Sequence, residues 1–198
     1  MIEALFKNTI LFIIILSCIS FPDHINNFVF SNMLPLEISA NSFGVRAMGD
    51  KEEIKTYFNY QTWVTRNLFM DAYVSPSFNN NIDITYGMNL GYSSIYDAKH
   101  FKNINYAVGY FRKKFSDNTS KWINLSIIPM FKVKNSWISL SFNYSFFNDG
   151  GNKINKRSLI CNYIRKFKDN FILKTGMQFF EDEDEISIAH FIGLSYRL

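Results

Sequence analysis

The stretch that decides the fold is Ile82-Asp83-Ile84-Thr85-Tyr86-Gly87-Met88-Asn89-Leu90-Gly91-Tyr92. Every even-numbered position in it is apolar or aromatic, and every odd-numbered position is polar or glycine. Successive side chains of a β-strand point to opposite faces of the sheet, so the segment predicts a strand with one apolar and one polar face. Strands of soluble proteins usually have about 5–6 residues. This alternation lasts for about eleven, which is near the length that a tilted strand needs to cross a bilayer.

The same two-residue rhythm recurs from about residue 43 to residue 198. Short polar clusters such as Asn79-Asn80-Asn81 separate the repeats, and connections this short favour antiparallel neighbours. We therefore predict an all-β fold, a single antiparallel transmembrane β-barrel of about ten strands. Eight strands remain the alternative, because the first strand is weak and Pro76 shortens the third. The predicted strands are 42–49, 54–65, 70–78, 82–92, 102–112, 121–131, 136–147, 157–167, 170–180 and 186–198.

The alternation also assigns each side chain to a face. The predicted lipid-facing residues include Ile54, Phe58, Tyr60, Val64, Ile104, Tyr106, Val108, Tyr110, Ile123, Leu125, Ile127, Ile138, Leu140, Phe142, Tyr144, Phe146, Leu159, Cys161, Tyr163, Phe171, Leu173, Met177, Phe179, Ile186, Ile188, Ile192, Leu194, Tyr196 and Leu198. The predicted lumen residues include Lys55, Trp63, Asp71, Tyr73, Asp83, Asn89, Asn105, Phe111, Trp122, Asn124, Trp137, Asn143, Phe147, Lys174, Gln178 and Ser187. Since the interior of a small barrel is just wide enough for side chains, we expect these bulky groups to fill it.

Composition and the N-terminal segment bound the class of protein. At 198 residues, with 18% aromatic side chains and a mean hydropathy of -0.07, the chain suits one barrel domain and not a helical membrane protein. The net charge of +4 is scattered, so we expect no nucleic-acid partner. The apolar run from Thr9 to Phe21 follows Lys7, as in a secretory signal. We predict a signal peptide at 1–20, an exported lead-in at 21–41 and the barrel at 42–198.

Two cysteines leave an alternative open at the signal. Cys18 follows Ile15-Leu16-Ser17, which is a poor match to a lipidation site, and an ordinary signal core that contains a cysteine is the simpler interpretation. If Cys18 is removed with the signal, Cys161 has no disulfide partner within the chain. An exported protein without disulfides must then be stabilised in another way, and a closed ring of backbone hydrogen bonds is one.

The last residues, Gly193-Leu194-Ser195-Tyr196-Arg197-Leu198, resemble the assembly signal of outer-membrane barrels. Gly193, Tyr196 and Leu198 occupy its glycine, hydrophobic and terminal hydrophobic places, although such signals usually end in phenylalanine and carry a polar residue where Phe191 stands. Across residues 42–198 the chain resembles the class of small OmpX/OmpA-type barrels. The resemblance implies a porin-like monomer in a Gram-negative-type outer membrane, with the lipid bilayer and the barrel-assembly machinery as partners. A secreted β-sandwich shows the same alternation, but its strands are shorter and it lacks this terminal motif.

The search for chemistry predicts no catalytic residue, no cofactor site and no metal site. His24 lies in the lead-in, His100 in a connection and His190 on the apolar face, while Ser187, the serine near His190, faces the other way. Glu181-Asp182-Glu183-Asp184-Glu185 is the densest charge, and we expect it to be a solvated loop. The motifs that bind phosphates or dinucleotides do not occur.

We therefore predict a structural or interaction role without catalysis. A narrow channel for small solutes is the first alternative and a lipid-modifying barrel enzyme the second. If both termini are periplasmic, the polar connections around 113–120, 148–156 and 181–185 face outside, where they can present variable surfaces. The connections 49–53 and 79–81 then face outside as well, and 66–69, 93–101, 132–135 and 168–169 face the periplasm.

Overall fold

The computed structural model describes residues 41–49, 54–77, 83–96, 98–114, 119–149, 152–167, 170–182 and 185–198. The predicted signal peptide (1–20) and residues 21–40 of the predicted lead-in lie outside these ranges. Asn41, the last residue of that lead-in, is the first residue of a strand. Among the described residues there is no helix long and apolar enough to cross a membrane.

The described residues form ten β-strands, as the alternation predicts. Their bounds are β1 (Asn41–Gly49), β2 (Ile54–Trp63), β3 (Leu68–Ser77), β4 (Asp83–Ile95), β5 (Phe101–Lys114), β6 (Thr119–Val133), β7 (Ser136–Asp149), β8 (Asn152–Lys166), β9 (Phe171–Asp182) and β10 (Glu185–Arg197).

Each strand pairs antiparallel with its sequence neighbours, and β1 pairs with β10, so the sheet closes into a barrel. The prediction of ten strands is confirmed, and both the eight-strand alternative and the β-sandwich are wrong. Asn41 accepts a hydrogen bond from the backbone N–H of Leu198 at 3.0 Å, so both residues lie at the same end. We call this the terminal end, and the opposite end, where β1 leads towards β2, the distal end.

The face assignments are confirmed wherever the side chains are described. On β5, Val108 is 56% exposed on the outside, whereas Asn105, a lumen residue of the same strand, is fully buried. Ile54 and Asp83 belong to strands, but their side chains lie outside the described part of the structure. The barrel is therefore apolar on its exterior and has its core inside the lumen.

The predicted polar connections at the distal end are mostly strand, which corrects their bounds. Strand residues account for 113–114 and 119–120 of the predicted loop 113–120, for 148–149 and 152–156 of the predicted loop 148–156, and for 181–182 and 185 of the predicted loop 181–185. The hydrophobic alternation ends where the outward-facing side chains become polar, but backbone pairing does not require apolar side chains. The ladder therefore continues through polar residues, which the alternation alone assigned to loops.

The corrected connections no longer differ between the two ends. Those at the terminal end, 64–67, 96–100, 134–135 and 167–170, run from two to five residues. At the distal end, the sequence between consecutive described strands, 50–53, 78–82, 115–118, 150–151 and 183–184, also contains two to five residues. Loop length therefore gives no support to the predicted orientation.

Two backbone irregularities lie on β6 and in the turn after it. The ladder between β6 and β7 has no pairs between Ile127–Phe142 and Met130–Ser139, a gap that contains Pro129. Proline has no N–H to donate, which accounts for the interruption. The hairpin turn after β6 contains Lys134, whose φ of 55° lies in the left-handed region that favours glycine.

We expect Lys134→Gly to raise the free energy of unfolding by about 0.5–1 kcal/mol, because glycine adopts a positive φ without steric cost. Urea unfolding of the protein folded into lipid vesicles measures the change. Asn135→Gly is the matched control, since Asn135 has no positive φ to relieve, and it should leave the midpoint unchanged or lower it. A Lys134→Gly midpoint at or below that of the parent protein contradicts the prediction.

Candidate functional site: the barrel lumen

Two apolar clusters cross the lumen, one near each end. The distal cluster draws on nine strands and consists of Met48, Tyr57, Tyr73, Phe111, Trp122, Ile160, Phe180, Ala189 and Phe191, with Phe147 packed against it. The terminal cluster consists of Phe69, Ala107, Ile128, Met130, Trp137, Ile164 and Ile172, with Trp63 packed against it. The bulky lumen residues predicted from the sequence thus belong to two separate layers.

A stack of aromatic rings forms the centre of the distal cluster. The rings of Phe111 and Trp122 are 5.5 Å apart between centroids and 16° from parallel, and those of Trp122 and Phe147 are 5.3 Å apart at 20°. Tyr73 adds a tilted ring 6.1 Å from Phe111. These side chains come from β3, β5, β6 and β7, so the stack follows the lumen wall from strand to strand.

Strand β4 contributes glycines where the other strands contribute large side chains. A Cβ atom on Gly91 would overlap the ring of Phe69, and one on Gly87 would overlap the ring of Phe111. Each glycine therefore makes room for an aromatic ring in one of the two clusters. The sequence alone assigns these glycines to the polar face and does not predict their packing role, because the rings that need the space lie on other strands.

Buried asparagine and serine side chains form a hydrogen-bonded chain between neighbouring strands of the lumen wall. Ser145 Oγ donates to Asn124 Oδ1 (2.9 Å), and Asn124 Nδ2 donates to Ser126 Oγ (2.8 Å). Ser126 Oγ in turn donates to Asn143 Oδ1 (2.7 Å), whose Nδ2 donates to Ser158 Oγ at 3.4 Å. The chain links β6, β7 and β8, so these polar groups satisfy one another within the lumen.

Charged side chains of opposite sign meet inside the barrel. Asp71 is fully buried and accepts a hydrogen bond from Tyr73 Oη at 2.5 Å, and the charges of Lys174 and Arg46 act on its carboxylate. The guanidinium of Arg46 lies 4.9 Å from the centre of the Tyr57 ring, a cation–π contact. The sequence predicts Asp71, Tyr73 and Lys174 in the lumen but not their meeting. Arg46 is missed, although its place in the alternation of β1 points it inward.

We expect Asp71→Asn to lower the free energy of unfolding by about 3–5 kcal/mol, because it leaves Lys174 and Arg46 buried without the carboxylate that offsets them. Urea unfolding in lipid vesicles measures the loss, and the double variant Asp71→Asn/Lys174→Met should regain part of it. Ser141→Ala, which removes a buried hydroxyl but no charge, should cost only about 1 kcal/mol. The prediction is wrong if Asp71→Asn costs no more than this control.

The described histidines and the serine near His190 do not lie together in one site. His190 is half-buried on the exterior and Ser187 is buried on the lumen side, so the two lie on opposite faces, as predicted. His100 is exposed, with Nδ1 3.4 Å from the Lys132 carbonyl, and His24 lies outside the described residues. Cys161 is a free thiol, half-buried on the exterior.

The acidic run is not the loop that was expected. Glu181 and Asp182 end β9, and Glu185 begins β10, so at least these three residues belong to paired strands. The Glu181 carboxylate lies 4.0 Å from Nε of Arg157 on the neighbouring strand. Groups of three or more potential metal ligands are absent from the part of the chain that the structure describes.

The exterior carries an apolar belt. On β6 the belt runs from Ile123 to Phe131 and on β7 from Ile138 to Phe146, eight residue steps in each case. At about 3.4 Å per residue and a strand tilt near 40°, eight steps give a height of about 21 Å, close to the apolar band of about 25 Å in transmembrane barrels. Exposed residues such as Leu90 (58%) and Ile192 (58%) are accommodated by lipid.

Comparison with known proteins finds a solved structure, the KdgM porin, that shares the fold. No family model and no curated protein matches the chain. The KdgM porin, solved in complex with disordered oligogalacturonate, matches with a TM-score of 0.51 at 11% identity, covering 79% of this chain and 99% of that one. Outer membrane phospholipase A from Escherichia coli gives 0.41 at 9% identity, covering 79% and 92%. The N-terminal barrel of Pseudomonas aeruginosa OprF gives 0.38 at 6%, covering 80% and 97%.

At these identities the similarity concerns the fold alone, and the exterior supplies the second argument. A closed ring of ten antiparallel strands leaves no unpaired edge, and a belt of exposed apolar side chains surrounds it. Lipid is the solvent that this exterior fits. The chain therefore has the fold and the apolar exterior that small outer-membrane β-barrels share.

Proposed function

We propose that the protein is a structural or interaction barrel whose lumen is closed to solutes and which has no catalytic activity. The observation that carries the proposal is the pair of apolar clusters, one near each end of the lumen, with buried polar side chains between them. Side chains normally fill the interior of small barrels, and the clusters here draw on nearly every strand.

The polar filling supports the same proposal. Asn124, Ser126 and Asn143 form hydrogen bonds with one another. In an open conduit, water would form these hydrogen bonds instead. Asp71 and Lys174 are both buried, and their opposite charges attract each other. A solute that moved through the lumen would have to separate these groups and displace the aromatic stack.

An interaction role places the binding surface at the distal end. The residues beyond the belt there are polar and belong to paired strands, as in Thr119–Lys121 and Asn152–Arg157. Strand ends are more rigid than loops, so a partner would meet a preformed surface. The surface proposed here is therefore the rim of the barrel, and not the long loops expected from the sequence.

The proposal includes the partners expected from the C-terminal motif. In β10, Gly193 is buried while Tyr196 and Leu198 point outward, at 41% and 70% exposure. This places the two hydrophobic residues of the motif on the accessible face, where barrel-assembly machinery would meet them. A monomer exported through a signal peptide at 1–20 completes the proposal.

One observation favours the narrow channel as a second candidate. Among the described side chains that are buried in the lumen, Arg46, Lys55, Lys113 and Lys174 are cationic, and Asp71 is the anionic one. The amide of Asn89 is also buried without a hydrogen-bond partner among the described residues, so internal water would satisfy it. A conduit formed by such water would favour anions.

Planar-bilayer recording distinguishes the two candidates. We expect the purified, folded protein to give no reproducible conductance steps, because both clusters obstruct the lumen. The double variant Phe111→Ala/Trp122→Ala removes two rings of the central stack and should produce measurable steps. Migration of unboiled samples on gels confirms that each variant has folded.

Leu125→Ala is the matched control, since it removes a large side chain from the exterior of β6 and should leave the bilayer silent. Stable conductance from the parent protein, with an anion preference that falls in Lys55→Gln, would replace the closed barrel by a narrow channel. Hydrolysis of bilayer phospholipid by the purified protein would instead favour the enzyme.

A further inference from the structure

Three cations lie side by side on the exterior wall at the distal end. Arg112 and Lys114 are on β5 and Lys121 is on β6, all on the outward face. Arg112 is paired directly with Lys121 in the ladder, and Lys114 with Thr119. Directly opposed residues have Cβ atoms about 4.5–5.5 Å apart, and residues two apart on a strand are separated by about 7 Å. The three cationic side chains therefore lie close enough together to contact one phosphate group at the same time.

This arrangement is unfavourable unless an anion joins it. Like charges directly opposite each other on neighbouring strands destabilise a sheet. Glu181 carries the one carboxylate among the side chains that the structure describes on the barrel exterior, and it lies on β9 beside Arg157. The register of β5 and β6 thus concentrates positive charge where these described residues provide no compensation.

Arg112 also has an unused donor. Its side chain is half-buried, its Nε is inaccessible to solvent, and Nε has no hydrogen-bond partner among the described residues. A buried donor without an acceptor costs free energy, so a guanidinium that turns outward to an acceptor from outside the chain would recover this cost. The guanidinium group suits phosphate, because its donors lie in one planar fork.

The cluster lies at the level of lipid headgroups. On β5 it follows Tyr110, the last apolar residue of the belt, and on β6 it precedes Ile123, the first. Tyrosine marks the boundary between hydrocarbon and headgroups in membrane proteins. Below the cluster, Val108 and Leu125 offer an apolar wall for acyl chains. A ligand that satisfies both parts carries a phosphate at one end and hydrocarbon at the other.

We infer that Arg112, Lys114 and Lys121 form a binding site for the phosphate of an anionic membrane lipid on the outside of the barrel. The guanidinium of Arg112 turns outward and donates to the phosphate oxygens, the ammonium groups of the two lysines neutralise the remaining charge, and the acyl chains lie along the belt. The inference goes beyond the proposed function and does not depend on whether the lumen conducts. It depends only on the protein lying in a bilayer.

Native mass spectrometry of the full-length folded protein in neutral detergent tests the site. The probes are lipid A (a phosphomonoester), phosphatidylglycerol (a phosphodiester), phosphatidylcholine as the zwitterionic comparison, and inorganic phosphate. We expect one tightly retained anionic lipid per barrel. Arg112→Gln/Lys121→Gln should weaken its binding by about thirtyfold, because each cation near a membrane surface contributes about fivefold. Lys114→Gln alone, a mild exposed substitution, should weaken it by about fivefold.

Arg157→Gln is the matched control, an exterior cation at the same end whose charge Glu181 already offsets, and it should change binding by less than about twofold. Stronger retention of lipid A than of phosphatidylglycerol supports a phosphomonoester ligand, and equal retention supports any lipid phosphate. Inorganic phosphate that binds as tightly as either lipid overturns the lipid assignment. Equal retention of phosphatidylcholine, or an Arg157→Gln loss as large as that of the double variant, overturns the site itself.

Discussion

Closure of the sheet between β1 and β10 is the constraint on which the rest of this structure depends. Hydrocarbon cannot satisfy a backbone N–H or C=O, so a spanning sheet must have no free edge. Eight consecutive residue pairs, from Ser42–Arg197 to Gly49–His190, join the first strand to the last. Because the ring closes through the weakest strand in the sequence, the short β1 has a structural importance that its composition does not suggest.

Closure with ten strands leaves a lumen that the inward side chains occupy, and those side chains follow two different rules. The apolar ones gather into two layers that include rings from several strands, with Gly87 and Gly91 making room for them. The polar ones form local chains along the wall or, like Asp71 and Lys174, balance each other's charge. Both arrangements support the proposal that the lumen is closed, because a solute moving through it would have to separate these groups.

The exterior follows a third rule, which is set by lipid. Across most strands it is apolar over a height that matches the hydrocarbon core, and the charged residues stand beyond the ends of this belt. Arg157 is offset by Glu181, whereas Arg112 and Lys121 oppose each other. The Arg157–Glu181 pair is therefore electrostatically balanced within the chain, whereas the Arg112–Lys121 pair is better explained by a bound anion.

The sequence by itself determined which segments form strands and which face of each strand is apolar, and it favoured ten strands over eight, because a period of two is a local property. It did not determine where strands such as β5 and β8 end, since backbone pairing continues beyond the apolar belt. It also left the barrel and the sandwich with the same pattern. Only the tertiary structure decided that the charges of Asp71 and Lys174 interact, that Phe69 lies over Gly91 and that Arg112 opposes Lys121. These contacts depend on the register between strands, which no single segment encodes.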